Sequence, residues 1–161
     1  MKKTDLTIAV VMALCIGEHP VKEIIKSTQE NAKLLENILI NSTFLISCTN
    51  KQIFYQNEII ASTIDNVTVM NDCVFNSSYD NADKKICHEI SKILDLAQEE
   101  GYTNLVIVID EHNPNDIITL LGKIIGCKDT PHIKSGQIIV FEPDVHQVSI
   151  LNKSKVQSTN F

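Results

Sequence analysis

Residues 105–126 read LVIVIDEHNPNDIITLLGKIIG. An apolar, β-branched run ends in Asp110, Glu111, His112, Asn113 and Pro114, and a helical pattern starts at once. The run suits a buried strand, and the apolar spacing after Pro114 predicts a helix to about Ile125. Asn113 can cap that helix, and Pro114 suits its first position, where no amide hydrogen is needed. The free amides and the helix dipole then favour an anion in front of them. A histidine at such a junction can donate to a phosphoryl oxygen or move a proton near neutral pH. The plain alternative is a solvent-exposed loop histidine beside two acids. Asp110, Glu111, His112 and Asp116 do not suggest a metal set, because adjacent residues on a strand end point to opposite faces.

The same alternation extends outward in both directions. LTIAVVMALCI, near the N-terminus, is a continuous apolar run that reads as a first buried strand. PVKEIIKSTQENAKLLENILI follows, with Val21, Ile24, Ile25, Thr28, Ala32, Leu35, Ile38 and Leu39 at helical spacing. STFLIS reads as a strand and NKQIFYQNEIIAS as a helix with Ile53, Phe54, Asn57 and Ile60 on one side. NVTVM reads as an edge strand and FNSSYDNAD as a loop. KKICHEISKILDLAQEEG is an amphipathic helix with Ile86, Ile90, Ile93, Leu94 and Ala97 as its stripe and Gly101 at its end. GQIIVFEP and VHQVSIL read as a closing strand pair. The expected fold is α/β: a three-layer α/β/α sandwich around a mostly parallel sheet. Residues 1–151 are expected to form a single α/β domain, and 152–161 a polar, frayed C-terminal tail. There is no internal repeat or linker.

Composition narrows the function. The chain has 161 residues, a net charge of −6 and 43% apolar residues, which suits one folded domain. No basic run or stripe is present, which argues against a nucleic-acid or anionic-membrane surface. All fourteen of its basic residues are lysines, so the chain has no arginine. An anion site here must use lysine, histidine and backbone amides, not the bidentate guanidinium fork. The cysteines Cys15, Cys48, Cys73, Cys87 and Cys127 lack zinc spacing and read as reduced thiols of a cytoplasmic protein. MKKTDLTIAVVMALCIG also has the outline of an export signal, so export is the alternative. Nothing in the sequence calls for a cofactor or a metal.

Glu111, His112, Asn113 and Pro114 resemble the second histidine motif of the histidine phosphatase (phosphoglycerate mutase-like) superfamily, nearest its small SixA-type phosphohistidine phosphatases. There a strand ends in Gly-His-x-Pro and a helix follows; Glu111 here replaces the small residue. PVKEIIKSTQENAKLLENIL is similar to the helix after the superfamily's first signature. LISCTNKQIFYQNEIIAS is similar to its Ser-Pro-x-x-Arg segment, with Ser47 matching, Cys48 for proline and Lys51 for the phosphate-binding arginine. GQIIVFEPD resembles a late strand. The resemblance covers nearly the whole chain and implies a phosphoglycerate mutase-like fold with phosphate contacts from Ser47, Lys51, His112 and Asn113.

The departures matter as much. The superfamily's nucleophile is the histidine of an Arg-His-Gly motif at the end of the first strand. Here that place reads Met12, Ala13, Leu14, Cys15, and His19 lies too far along. Cys15 stands near the vacant position, but the Cys-x5-Arg cradle of cysteine phosphatases is missing; a buried apolar cysteine is its default reading. The expectation is an impaired member with a binding or scaffold role, taking a small phosphorylated ligand or a protein partner. Two alternatives stand beside it: an active phosphatase on phosphohistidine or phosphomonoesters, with His112 or Cys15 in a catalytic role, and an interaction module with a vestigial pocket, with a homodimer among its arrangements.

Overall fold

The structure is a computed structural model that describes residues 4–14, 17–47, 54–71, 82–110, 114–151 and 156–160. Strands and helices alternate as the sequence predicts: β1 (Thr7–Ala13), α1 (Val21–Ile38), β2 (Thr43–Ser47), α2 (Phe54–Thr63), β3 (Val67–Asn71), α3 (Ala82–Glu99), β4 (Asn104–Asp110) and α4 (Pro114–Ile125). Then come β5 (Ile138–Glu142), a 3-10 turn (Pro143–Val145), β6 (Gln147–Leu151) and β7 (Val156–Asn160). They form one seven-stranded sheet in the order β3-β2-β4-β1-β5-β6-β7. The pairs β3/β2, β2/β4 and β4/β1 are parallel; those from β5 onward are antiparallel.

Strand alternation sorts the apolar residues into two cores. Ile8, Val10, Met12, Ile107 and Ile109 face one side and pack with Ile90 and Leu94 of α3 and Ile117 and Leu121 of α4. Ala9, Val11, Val106 and Val108 face the other and pack with Ala32 and Leu35 of α1 and Ile60 of α2. Both faces of the central strands are covered, which is why β1 and β4 read as unbroken apolar runs rather than as alternating ones. The result is the expected three-layer α/β/α sandwich.

Two helices end as their glycines dictate. Gly101 (φ 80°), two residues beyond α3, and Gly126 (φ 91°), one beyond α4, take the left-handed conformation. The next amides, of Tyr102 and Cys127, return to the carbonyls of Ala97 and Gly122, the bond pattern that closes a helix on glycine.

Three expectations differ from the structure or fall outside it. Val21 and Ile25 are exposed, although they fit the apolar spacing of α1. The buried face runs through Ile24, Thr28, Asn31, Ala32 and Leu35, so a narrower stripe takes in a polar residue, Asn31, and leaves out two apolar ones. Val156–Asn160, expected to belong to a frayed tail, pairs antiparallel with β6 as β7; β6 offers an open edge of backbone groups, and pairing satisfies them. The expected loop FNSSYDNAD lies largely outside the described residues.

Candidate functional site

The site follows from which strand ends adjoin. β4 lies between β2 and β1, and all three run the same way. In register, Ala13 at the end of β1 is opposite Asp110 at the end of β4, and Ser47 at the end of β2 is opposite Val108. The helix after β1 packs on one face of the sheet and the helix after β4 on the other. The chain therefore parts between two neighbouring strand ends, the switch point where open parallel sheets bind ligands.

The residues that follow these ends are the candidates named from sequence. Cys15 comes after β1, Lys51 after β2, and His112 and Asn113 after β4. All four lie outside the described residues. The structure describes the ground on which they stand. Ser47 is inside it: the residue is fully buried and its Oγ has no hydrogen-bond partner.

Around Ser47 the rim is more polar than its apolar periodicity suggested. Asn57, in the first turns of α2, is fully buried. Its Nδ2 donates to Oδ1 of Asn71, at the end of β3, at 2.7 Å, while its own Oδ1 has no partner. Gln56 bridges three elements. Its Nε2 donates to the Leu14 carbonyl just past β1 at 3.0 Å, and its Oε1 accepts from the Thr28 hydroxyl of α1 at 3.0 Å. Thr28 Oγ1 also lies 2.7 Å from the Ile24 carbonyl. This buried relay ties α1 and α2 to the backbone immediately before Cys15. Sequence reading placed Asn57 on the packed side of its helix and missed Gln56. The signal available was only the polar pair Gln56-Asn57 near the start of a helix that is half polar throughout, and buried polar side chains need partners.

Such a rim can accept or donate hydrogen bonds to a ligand, and its free buried oxygens, Ser47 Oγ and Asn57 Oδ1, are costly to leave unmatched. No group of three or more potential metal ligands gathers among the described residues, and no helix among them is long and apolar enough to cross a membrane.

No family model matches the sequence, and no curated protein matches it. Solved structures do. A phosphoglycerate mutase from Bacillus anthracis superposes with a TM-score of 0.61 at 12% identity, over 86% of this chain and 88% of that one. A protein described as an alpha-ribazole-5'-P phosphatase, from Escherichia coli, aligns over 98% of this chain and 96% of its own at 11% identity and a TM-score of 0.55. One described as a phosphohistidine phosphatase SixA, from Nakamurella, aligns over 83% of each chain at 10% identity and a TM-score of 0.50. The chain has a phosphoglycerate mutase-like fold.

Proposed function

We propose that the chain is a catalytically impaired histidine-phosphatase-like protein, with a binding or scaffold role and weak phosphate affinity at the rim between β1, β4 and β2. One observation carries the reading. The end of β1, which lies against the end of β4, reads Met12, Ala13 and then Leu14 and Cys15, without the histidine of the superfamily's first motif.

The chemistry supports impairment. In-line attack on phosphorus by a neutral imidazole needs that imidazole, together with charged donors on the equatorial oxygens. Removing one preorganised donor of this kind typically costs about 3 kcal/mol of transition-state stabilisation, and this chain has no guanidinium at all. Losing the nucleophile removes the covalent route. Ligand contact is less demanding. Ser47 and Lys51, at and after β2, and His112 and Asn113, after β4 in the sequence, would offer a hydroxyl, a point charge, an imidazole and a carboxamide.

The test is turnover. With an aryl phosphate and with a phosphohistidine-bearing protein, the wild-type rate is expected to equal that of His112→Ala. A rate well above that control sinks the impaired reading in favour of an active phosphatase. Inorganic phosphate at millimolar concentration is expected to shift the His112 ring resonances and the Ser47 amide. If neither moves, the rim is vestigial and the chain is an interaction module.

A further inference from the structure

On the other side of β1 from β4, a cavity of about 500 Å³ opens between α1 and the turn that precedes β5. Its polar wall includes Ser27 and Asn31 of α1 and Gln137 of the turn; Leu14, Leu34 and Leu151 supply apolar wall. Asn31 is only 6% exposed, and its carboxamide makes no hydrogen bond among the described residues. Ser27 precedes it by one turn on the same helix face, and its hydroxyl is likewise unmatched among them. Gln137 uses its Oε1 to accept from the Lys134 amide at 2.7 Å, which leaves its NH2 free to donate. These groups sit close because Gly136, at φ +83°, brings the turn against α1: a Cβ there would stand 3.2 Å from Ser27 Oγ.

The chemistry of this wall selects a ligand class. A carboxamide offers a donor beside an acceptor and is matched in full by another amide edge. The Asn31 carboxamide opens to the cavity, so a ligand that matches it takes the place of water there. Charge disfavours anions, because Glu23 and Glu30 outnumber Lys26 among the lining residues. The volume falls within the range of small-molecule sites.

We propose that this cavity binds a small uncharged molecule carrying an amide edge, as in a lactam, a carboxamide or a nucleobase, and that Asn31 is its recognition residue. The site lies on the β5 side of β1 and does not need phosphate. The experiment titrates the full chain with 2-pyrrolidinone, nicotinamide and adenosine, using methyl α-glucoside as a hydroxyl-only control, and follows side-chain amide resonances. At least one amide-edged probe is expected to shift Asn31 and Gln137 saturably, while the glucoside and inorganic phosphate leave them in place. Asn31→Leu is expected to weaken that probe by about tenfold or more, with the thermal midpoint kept. If Asn31→Leu does not fold, Gln137→Leu must show the same weakening at the Asn31 resonance. The proposal is overturned if no amide-edged probe saturates, if the glucoside or phosphate shifts Asn31 comparably, or if the variant that folds binds as the wild type does.

Discussion

Ser47 and Asn104 show how two buried polar side chains can serve opposite ends. Asn104, at the start of β4, is buried and donates from Nδ2 to the Ile40 carbonyl at 2.6 Å and to Thr43 Oγ1 at 3.1 Å. Asn104→Ala removes that donor from Thr43, which stays buried, and is expected to lower unfolding free energy by about 1–3 kcal/mol, read from the urea midpoint. Ser47 is as buried but matches nothing. Ser47→Ala is expected to leave stability unchanged or raise it by about 1 kcal/mol, while weakening any phosphate shift at the rim. A loss as large as that of Asn104→Ala would show that Ser47 is a structural hydroxyl. Cys127 gives a pH signature. Burial pushes its thiol above the ordinary value of 9.0, against a weak bond to the Asp129 carbonyl at 3.9 Å. Its ionised form is thus disfavoured in the folded chain only. The stability it contributes is complete below pH 9 and is lost as pH rises toward and through the folded value. Denaturation midpoints are expected to fall above pH 9 in the wild type, and less so in Cys127→Ala. Of the site, only the junction itself was legible: acid, histidine and asparagine ahead of Pro114 mark a strand-to-helix turn. Gln56 was not, because a buried relay depends on three segments far apart in sequence, and no local spacing encodes it.

At the level of elements, local pattern was a good guide wherever one face alone decides burial. The stripe of α3 came out residue by residue: Ile86, Ile90, Ile93, Leu94 and Ala97 are all buried. In α1 the same rule admitted Val21 and Ile25, which lie at the helix's exposed start; spacing gives the direction of a face, and the neighbouring elements set its width. α2 was harder still, since Gln56 and Asn57 are buried beside Ile60 and polarity no longer separates inside from outside. Gly122, in α4, makes a prediction in which the element and its surroundings disagree. Within an isolated helix, Gly→Ala stabilises by about 1 kcal/mol. Here a Cβ would collide with the Thr130 methyl and stand 2.8 Å from the Cys127 carbonyl. That carbonyl belongs to the turn locked by the Cys127 amide's bond to Gly122 at 2.7 Å, so backbone has to move. Gly122→Ala is expected to destabilise by about 1–3 kcal/mol net, measured by chemical denaturation. A more stable variant would mean that the turn after α4 is soft enough to yield.

Over the whole molecule, class was legible and order was not. Alternating strand and helix patterns imply a parallel sheet with two covering layers, but nothing local says that β4 inserts between β1 and β2. That placement comes from burial on both faces: β1 and β4 hold the longest fully apolar runs and take the middle, while β3, with Val69 and Met70 exposed, goes to the rim. β7 failed as a sequence prediction for the complementary reason. Val156–Asn160 is mostly polar, and a strand that adds backbone pairing to an edge has no hydrophobic signature. Its contribution can be isolated. A chain ending at Leu151 keeps β1, β4 and β5 with every parallel pair intact, and keeps both cores, whose members all precede residue 152. It gives up one antiparallel ladder, that between β6 and β7. Stability resides unevenly in such sheets, highest at the doubly covered strands and lowest at the edges. The truncated chain is therefore expected to unfold cooperatively, with hydrogen exchange faster in β6 and unchanged in β1 and β4. Faster exchange spreading into β1 and β4, or a broad unfolding transition, would show that the last strand supports the core through more than its ladder.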